Sequence, residues 1–330
     1  MLRGFQMLVL ALASTVLLGC AAIVEERLSM RPSAASMPEN TADMLRELQL
    51  ATREFCLPFL GGCTGYLYGK PYHLTLTEAP EDPATLNFDV EFETANGIEI
   101  YQLNLTREEV LPHQGTMVLL HGYSVDKSAM GMLAAYFMFL GYHVIVPDLL
   151  GHGQSTVEQT GFGVRDADMI SALLDSLPQR EKPGPLYIAG QSMGSVAAAN
   201  VARQRKDVAG LMLFAPMLPM DQATEAVLAE IYPRLSKLMS SDTVRQGVIG
   251  AMRRQDLELA DTDLLRLLPQ LEVPALLIAS DKDTIAPYEA YLPLESETRT
   301  LIMAPGRHHM TVGFIDNELH QHISSWLAIH

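Results

Sequence analysis

Between Thr116 and Pro216 four short apolar runs, "TMVLLHG", "YHVIVPD", "LYIAGQS" and "GLMLFAP", are separated by three helical stretches, Lys127 to Leu140, Gly163 to Leu177 and Met193 to Arg205. No other feature of the chain restricts its fold so far. Short runs that are apolar throughout suit strands covered on both faces, and the alternating helices supply that cover. The expected class is α/β, with a mostly parallel sheet and helices on both faces.

The alternation is broken once and then resumes. Between Pro216 and Gln270 strand signals vanish, and Val227, Leu228, Ile231, Leu235 and Leu238 follow a helical period with Pro233 as a kink. Two further helical stretches centre on Val248 to Met252 and Leu264 to Leu268. An all-helical insertion of this kind predicts a cap. Strand chemistry returns at "VPALLIAS" and "TRTLIMAP", and the chain closes on Ile315, Leu319, Ile323 and Leu327 at helical spacing. Upstream, Phe88, Val90 and Phe92 alternate in "NFDVEFETA", and "GIEIYQLNL" alternates again after the Asn96-Gly97 hairpin signal, so an antiparallel pair is expected to lead into the sheet. Before it, Met44, Leu45, Leu48 and Phe55 at helical spacing, behind an Asn40 or Thr41 cap, predict a helix packed on the body.

The first twenty residues, "MLRGFQMLVLALASTVLLGC", stand apart from this pattern. Their apolar run from Met7 to Leu18 is too short to span a bilayer and has the length of a signal-peptide core. "LLGC" at Leu17 to Cys20 resembles a bacterial lipobox, which implies cleavage before Cys20 and lipidation of that residue; the alternative is an ordinary secretory signal. Several acyl chains at about 0.8 kcal/mol per buried CH₂ would make a lasting anchor. Ala21 follows the Cys where inner-membrane retention commonly shows Asp, so the outer membrane, facing the periplasm, is the expected location. The Ser/Pro/Ala-rich segment to Asn40 reads as a tether. The expected division is 1–19 signal peptide, 20–40 lipidated tether, 41–86 helical extension, 87–216 core, 217–270 cap and 271–330 core.

Charge and cysteine usage narrow the partners. A net charge of −16, from 39 acidic and 23 basic residues without a basic run, argues against nucleic acid as a partner. In an oxidising compartment Cys56 and Cys63 are expected to bridge, stabilising by about 2–3 kcal/mol through the short loop they close; two small buried residues are the alternative. No ligand set for a metal is complete there, and His320 and His322, two apart, do not share a helix face. No metal or cofactor is expected.

"LYIAGQSMGSVAAAN" places Ser192 between Gly190 and Gly194, after a strand and before a helix. A serine hydroxyl is a poor nucleophile and needs a base, an acid to orient that base, and donors for a developing oxyanion. A sharp turn presenting Ser192 tolerates only glycine two residues to either side, and the helix beginning at Met193 aims backbone N–H groups at the serine. His121-Gly122 ends the strand "TMVLL", which places the Tyr123 amide as one oxyanion donor and the Met193 amide as the other; His121 itself reads as a loop-holding residue. Asp283 in "ASDKDTIAP", with Asp281 as the alternative, and His308 or His309 in "APGRHHM" follow the next two strands. Groups just past the carboxyl ends of parallel strands occupy one crevice.

The order Ser, Asp, His and the segment "PDLLGHGQS", Pro147 to Ser155, resemble the α/β-hydrolase superfamily, in its monoacylglycerol lipase, lysophospholipase and serine aminopeptidase-like branch. The resemblance covers roughly Asn87 to His330. It implies an α/β-hydrolase fold with a helical cap, a tight turn at Gly151 and Gly153, and structural roles for Asp148 and His152. It favours His309 as base, because that loop usually reads Gly-x-x-His followed by an apolar residue, here Met310. The implied activity is hydrolysis of carboxylic esters through an acyl-enzyme. An apolar cap and a membrane anchor favour fatty acyl esters, monoacylglycerols or lysophospholipids. The same triad serves peptidases and acyltransferases; an aminopeptidase would need a cap acid, and Asp221, Glu225 and Glu230 are available. A non-catalytic lipoprotein that binds a ligand or partner is the alternative from another class.

Overall fold

The computed structural model describes residues 19–32, 41–57, 62–72, 85–94, 97–106 and 114–330. Ten strands are present among them: β1 (Ala51–Leu57), β2 (Gly62–Gly69), β3 (Thr85–Thr94), β4 (Gly97–Thr106), β5 (Thr116–Leu120), β6 (His143–Pro147), β7 (Leu186–Gln191), β8 (Val208–Phe214), β9 (Ala275–Ala279) and β10 (Arg299–Met303). Eight form one sheet in the order β1-β2-β6-β5-β7-β8-β9-β10, antiparallel only at β1/β2 and β2/β6. In its centre Val118 pairs with Ile145 on one side and Ile188 on the other. Every residue of β5, β6 and β9 is buried, as strands covered on both faces must be.

The helices are α1 (residues 19–29), α2 (Thr41–Glu47), α3 (Gly131–Leu140), α4 (Asp166–Ser176), α5 (Met193–Gln204), α6 (Met220–Ile231), α7 (Pro233–Ser236), α8 (Ser241–Arg253), α9 (Leu264–Leu267) and α10 (Asn317–Leu327). α3, "GMLAAYFMFL", is apolar almost all round and correspondingly buried almost all round; Gly141, at φ 107, ends it in the left-handed conformation. Between β8 and β9 every regular element is helical.

The structure departs from the sequence reading in four places. The first lies between residues 41 and 86, expected as a helical extension. Among the described residues there, α2 is a helix of seven residues, and β1 and β2 extend the main sheet, with Cys56 and Cys63 opposed in register and joined by a disulfide. Phe55 belongs to β1, because tertiary pairing outweighs a helical period carried by four residues. Second, β3 and β4 make a separate two-stranded sheet and do not lead into the main one, in which the place beside β6 is taken by β2. Third, part of the expected tether is helix α1, with Val24 and Leu28 buried. Fourth, α6 ends at Ile231 and Tyr232 breaks the path to α7, so the stripe continuing through Leu235 and Leu238 leaves the core. Pro233 cannot continue the hydrogen-bond ladder. The expected signal peptide lies outside the described residues except for Gly19, as do residues 33–40 of the tether. No described helix is long and apolar enough to cross a membrane.

Candidate active site

β7 delivers the chain into a sharp turn in which Ser192 adopts φ 53 and ψ −119 before α5 begins. A non-glycine residue in this region is strained, and the surroundings hold it there. The Ser192 amide donates to the Phe214 carbonyl at 3.0 Å, and its own carbonyl accepts from the Ser195 and Met217 amides. The flanking glycines have a steric reason. A Cβ on Gly190 would fall on the Gly194 carbonyl, and one on Gly194 on the Leu120 carbonyl.

The structure brings Ser192, His309 and Asp283 into one chain of hydrogen bonds. His309 Nε2 lies 2.9 Å from Ser192 Oγ, and His309 Nδ1 lies 2.8 Å from Asp283 Oδ2. A carboxylate only accepts, so Nδ1 carries the proton and the Nε2 lone pair faces the serine hydroxyl. Asp283 Oδ1 accepts the Ile285 and Ala286 amides, each at 2.9 Å, which fixes the buried carboxylate without using the oxygen that meets the histidine. Asp281 is not part of this chain. Its Oδ1 accepts the Gly306 amide at 2.7 Å, a bond that lowers its pKa and secures the turn before the histidines. His308 points elsewhere, its Nε2 3.2 Å from Glu99 Oε1.

Gly122 packs against the serine: a Cβ there would stand 3.3 Å from Ser192 Cβ. The following peptide N–H is that of Tyr123, and among the described residues neither it nor the Met193 amide has a hydrogen-bond partner. His121 orients this peptide. The Leu149 amide donates to His121 Nε2 at 3.0 Å, so Nδ1 bears the proton and donates to the Gly122 carbonyl at 2.8 Å. That carbonyl and the Tyr123 N–H belong to one planar unit, so holding one aims the other. Complete burial lowers the His121 pKa and keeps the ring neutral.

Beneath this loop Asp148 takes Lys127 Nζ at 2.5 Å, the Lys127 amide at 2.9 Å and the Gln154 amide at 2.8 Å. A Cβ on Gly153, at φ 47, would fall on the same carboxylate. His152 donates through Nδ1 to the Leu150 carbonyl, its Nε2 is buried without a partner, and burial with the neighbouring His121 pulls its pKa to about 3. Met217 and Met220 are both buried, and the Met217 amide bonds the elbow itself.

The sequence reading missed several contacts around the histidine loop. Tyr101 Oη donates to Thr311 Oγ1 at 2.9 Å, the Arg307 guanidinium lies 4.9 Å from the Tyr101 ring centroid, and Gln191 Nε2 reaches the Met310 carbonyl at 3.4 Å. These join residues far apart in the chain, and no local pattern announces them. A cavity of about 290 Å³ behind the loop, bounded by Glu99, Arg307, Asp316 and His322, is lined by none of Ser192, Asp283 and His309.

A mostly parallel eight-stranded sheet, an elbow after its fifth strand in chain order outside the β3–β4 pair, and a helical insertion before the last two strands define the α/β-hydrolase fold. The sequence model of the serine aminopeptidase S33 family matches residues 112–261. Lipase 1 of Psychrobacter immobilis is 31% identical over 98 residues, 29% of this chain and 30% of that protein. The (E)-2-((N-methylformamido)methylene)succinate hydrolase of Acinetobacter baylyi is 30% identical over 170 residues, 50% of this chain and 54% of its own. The chain thus spans about a third to a half of the length of these curated relatives. Among solved structures, a membrane phospholipase A superposes with a TM-score of 0.57 at 18% identity, covering 99% of this chain and 98% of that one.

Proposed function

We propose that this protein is a serine hydrolase of carboxylic esters, with fatty acyl esters, monoacylglycerols or lysophospholipids as substrates. The observation that carries the reading is the unbroken path from Ser192 Oγ through His309 to Asp283, with the serine on a strained turn. In this reading His309 Nε2 takes the hydroxyl proton as Ser192 Oγ attacks the ester carbonyl, and Asp283 stabilises the imidazolium. The oxyanion rests on the Tyr123 and Met193 amides at the start of α5. The protonated His309 gives its proton to the departing alcohol. Water, deprotonated by the same ring, then releases the acid.

The lipid preference draws support from two sources. Lipase 1 and the membrane phospholipase A are lipid hydrolases by name, and the apolar stretch before Cys20 suits an anchor. We place the enzyme on a bacterial membrane through lipidated Cys20, facing the periplasm from the outer membrane. A second reading, aminopeptidase, is favoured by the S33 family match and by Glu230 of the cap, which accepts a hydrogen bond from Thr284 beside Asp283.

Hydrolysis of a p-nitrophenyl ester series, acetate to palmitate, by the wild type and Ser192→Ala tests both. Activity that rises with chain length and disappears in the variant is expected. Cleavage of aminoacyl amides without esterase activity would establish the second reading. An active site inert to both and to a fluorophosphonate probe would leave a binding protein.

A further inference from the structure

The cap carries one element with no place in the core. α7 has no buried residue, and around it Ile231, Tyr232, Leu235 and Leu238 are 58%, 56%, 45% and 78% exposed. Single exposed apolar side chains are ordinary, but four on one continuous segment form a patch that calls for a covering surface. The segment also holds exposed Arg234 and Lys237 and no acid from Ile231 to Ser240, in a chain of net charge −16.

The arrival of the N-terminal chain indicates what that surface is. α1 lies along α8 in the same direction, with Ala21 and Val24 against Gly247, and Glu25 against Gly250 and Arg254. The approach is close: a Cβ on Gly247 would stand 2.6 Å from both the Ala21 carbonyl oxygen and Val24 Cβ, and Arg254 Nη2 is 2.6 Å from Glu25 Oε1. α1 therefore begins beside the first half of α8, whose start follows Leu238 by three residues. From Ser241 to Gly247 the helix rises only about 9 Å. The apolar run Met7 to Leu18, or acyl chains on Cys20 in its place, thus joins the fold at the same end of the cap as the exposed segment. Ile23, on α1, is 58% exposed.

We propose that residues 231–238 and Ile23 form a lipid-docking surface, on which the cap rests against the bilayer that holds the N-terminus. Ile231, Leu235 and Leu238 enter the boundary between headgroups and acyl chains, Tyr232 sits at the interface, and Arg234 and Lys237 meet anionic headgroups. The proposal rests on the reading of the protein as a membrane-anchored hydrolase, but the contact itself needs no catalysis.

The test uses the full chain reconstituted into phosphatidylethanolamine and phosphatidylglycerol vesicles with brominated acyl chains. Trp326, the one tryptophan, is 4% exposed and serves as the background. In Tyr232→Trp the added emission is expected to fall about twofold against unbrominated vesicles, since interfacial side chains reach the bromines. Leu235→Ser with Leu238→Ser in that background is expected to abolish the quench and to slow hydrolysis of vesicle-borne esters about tenfold, leaving p-nitrophenyl acetate turnover unchanged. Unquenched Tyr232→Trp overturns the proposal. So does a self-association in lipid-free detergent that the two serines abolish, which would assign the patch to a second copy. Because quenching needs no turnover, a protein that proves not to be an esterase leaves this result readable.

Discussion

Asp283 and Asp281 stand two residues apart and do different work because of the donors each meets. Asp283 divides its oxygens between two backbone amides and His309, whereas Asp281 serves the Gly306 amide. Asp283→Asn is expected to lower kcat on a p-nitrophenyl ester by about 10⁴-fold with the fold intact, because an amide facing Nδ1 favours the wrong tautomer. Asp281→Asn is expected to stay within about tenfold of wild type, since it loses only a turn contact. The neighbouring histidines divide in the same way. His309→Gln should abolish turnover, while His308→Gln, which loses a half-buried pairing with Glu99 outside the path to Ser192, should retain it in the same assay.

The elbow is the element on which the site depends, and its tolerance is set by backbone atoms that cannot yield. Gly194→Ala drives a methyl into the Leu120 carbonyl, whereas a Cβ on Gly184 meets nothing within 4 Å. Gly194→Ala is expected to lower stability by about 1–3 kcal/mol in urea unfolding. Gly184→Ala should remain within about 0.5 kcal/mol. The α1–α8 contact has the same construction. Gly247→Leu is expected to release α1 from the cap, read as new hydrogen exchange in residues 19–29 while β5 to β8 keep their protection.

Across the whole molecule two buried groups give stability opposite slopes with pH. His152, lowered to about 3 from 6.5, binds its proton more readily unfolded, so its contribution is present above pH 6.5 and falls by about 1.4 kcal/mol per unit as pH drops toward 3. Asp166 is fully buried, accepts the Leu150 and Gly163 amides, and is raised to about 6 from 3.8. Its contribution is present below pH 3.8 and is lost as pH rises through 6, so the two effects cancel between about pH 4 and 6. His121, also lowered by burial, has the same slope as His152, so in His152→Asn, which keeps a donor for the Leu150 carbonyl, unfolding free energy is expected to fall less steeply on acidification across that window than in the wild type. The strand-helix alternation, the glycine-flanked serine and the order of serine, acid and histidine were legible in the chain, because each depends on neighbours in sequence: period, turn sterics, the end of a strand. A solvent-facing α7 was not legible, nor were β2 beside β6, β3–β4 standing apart, or α1 seated on two glycines of the cap. Those outcomes depend on which surfaces compete for the same edge or groove, and only packing in three dimensions decides such a competition.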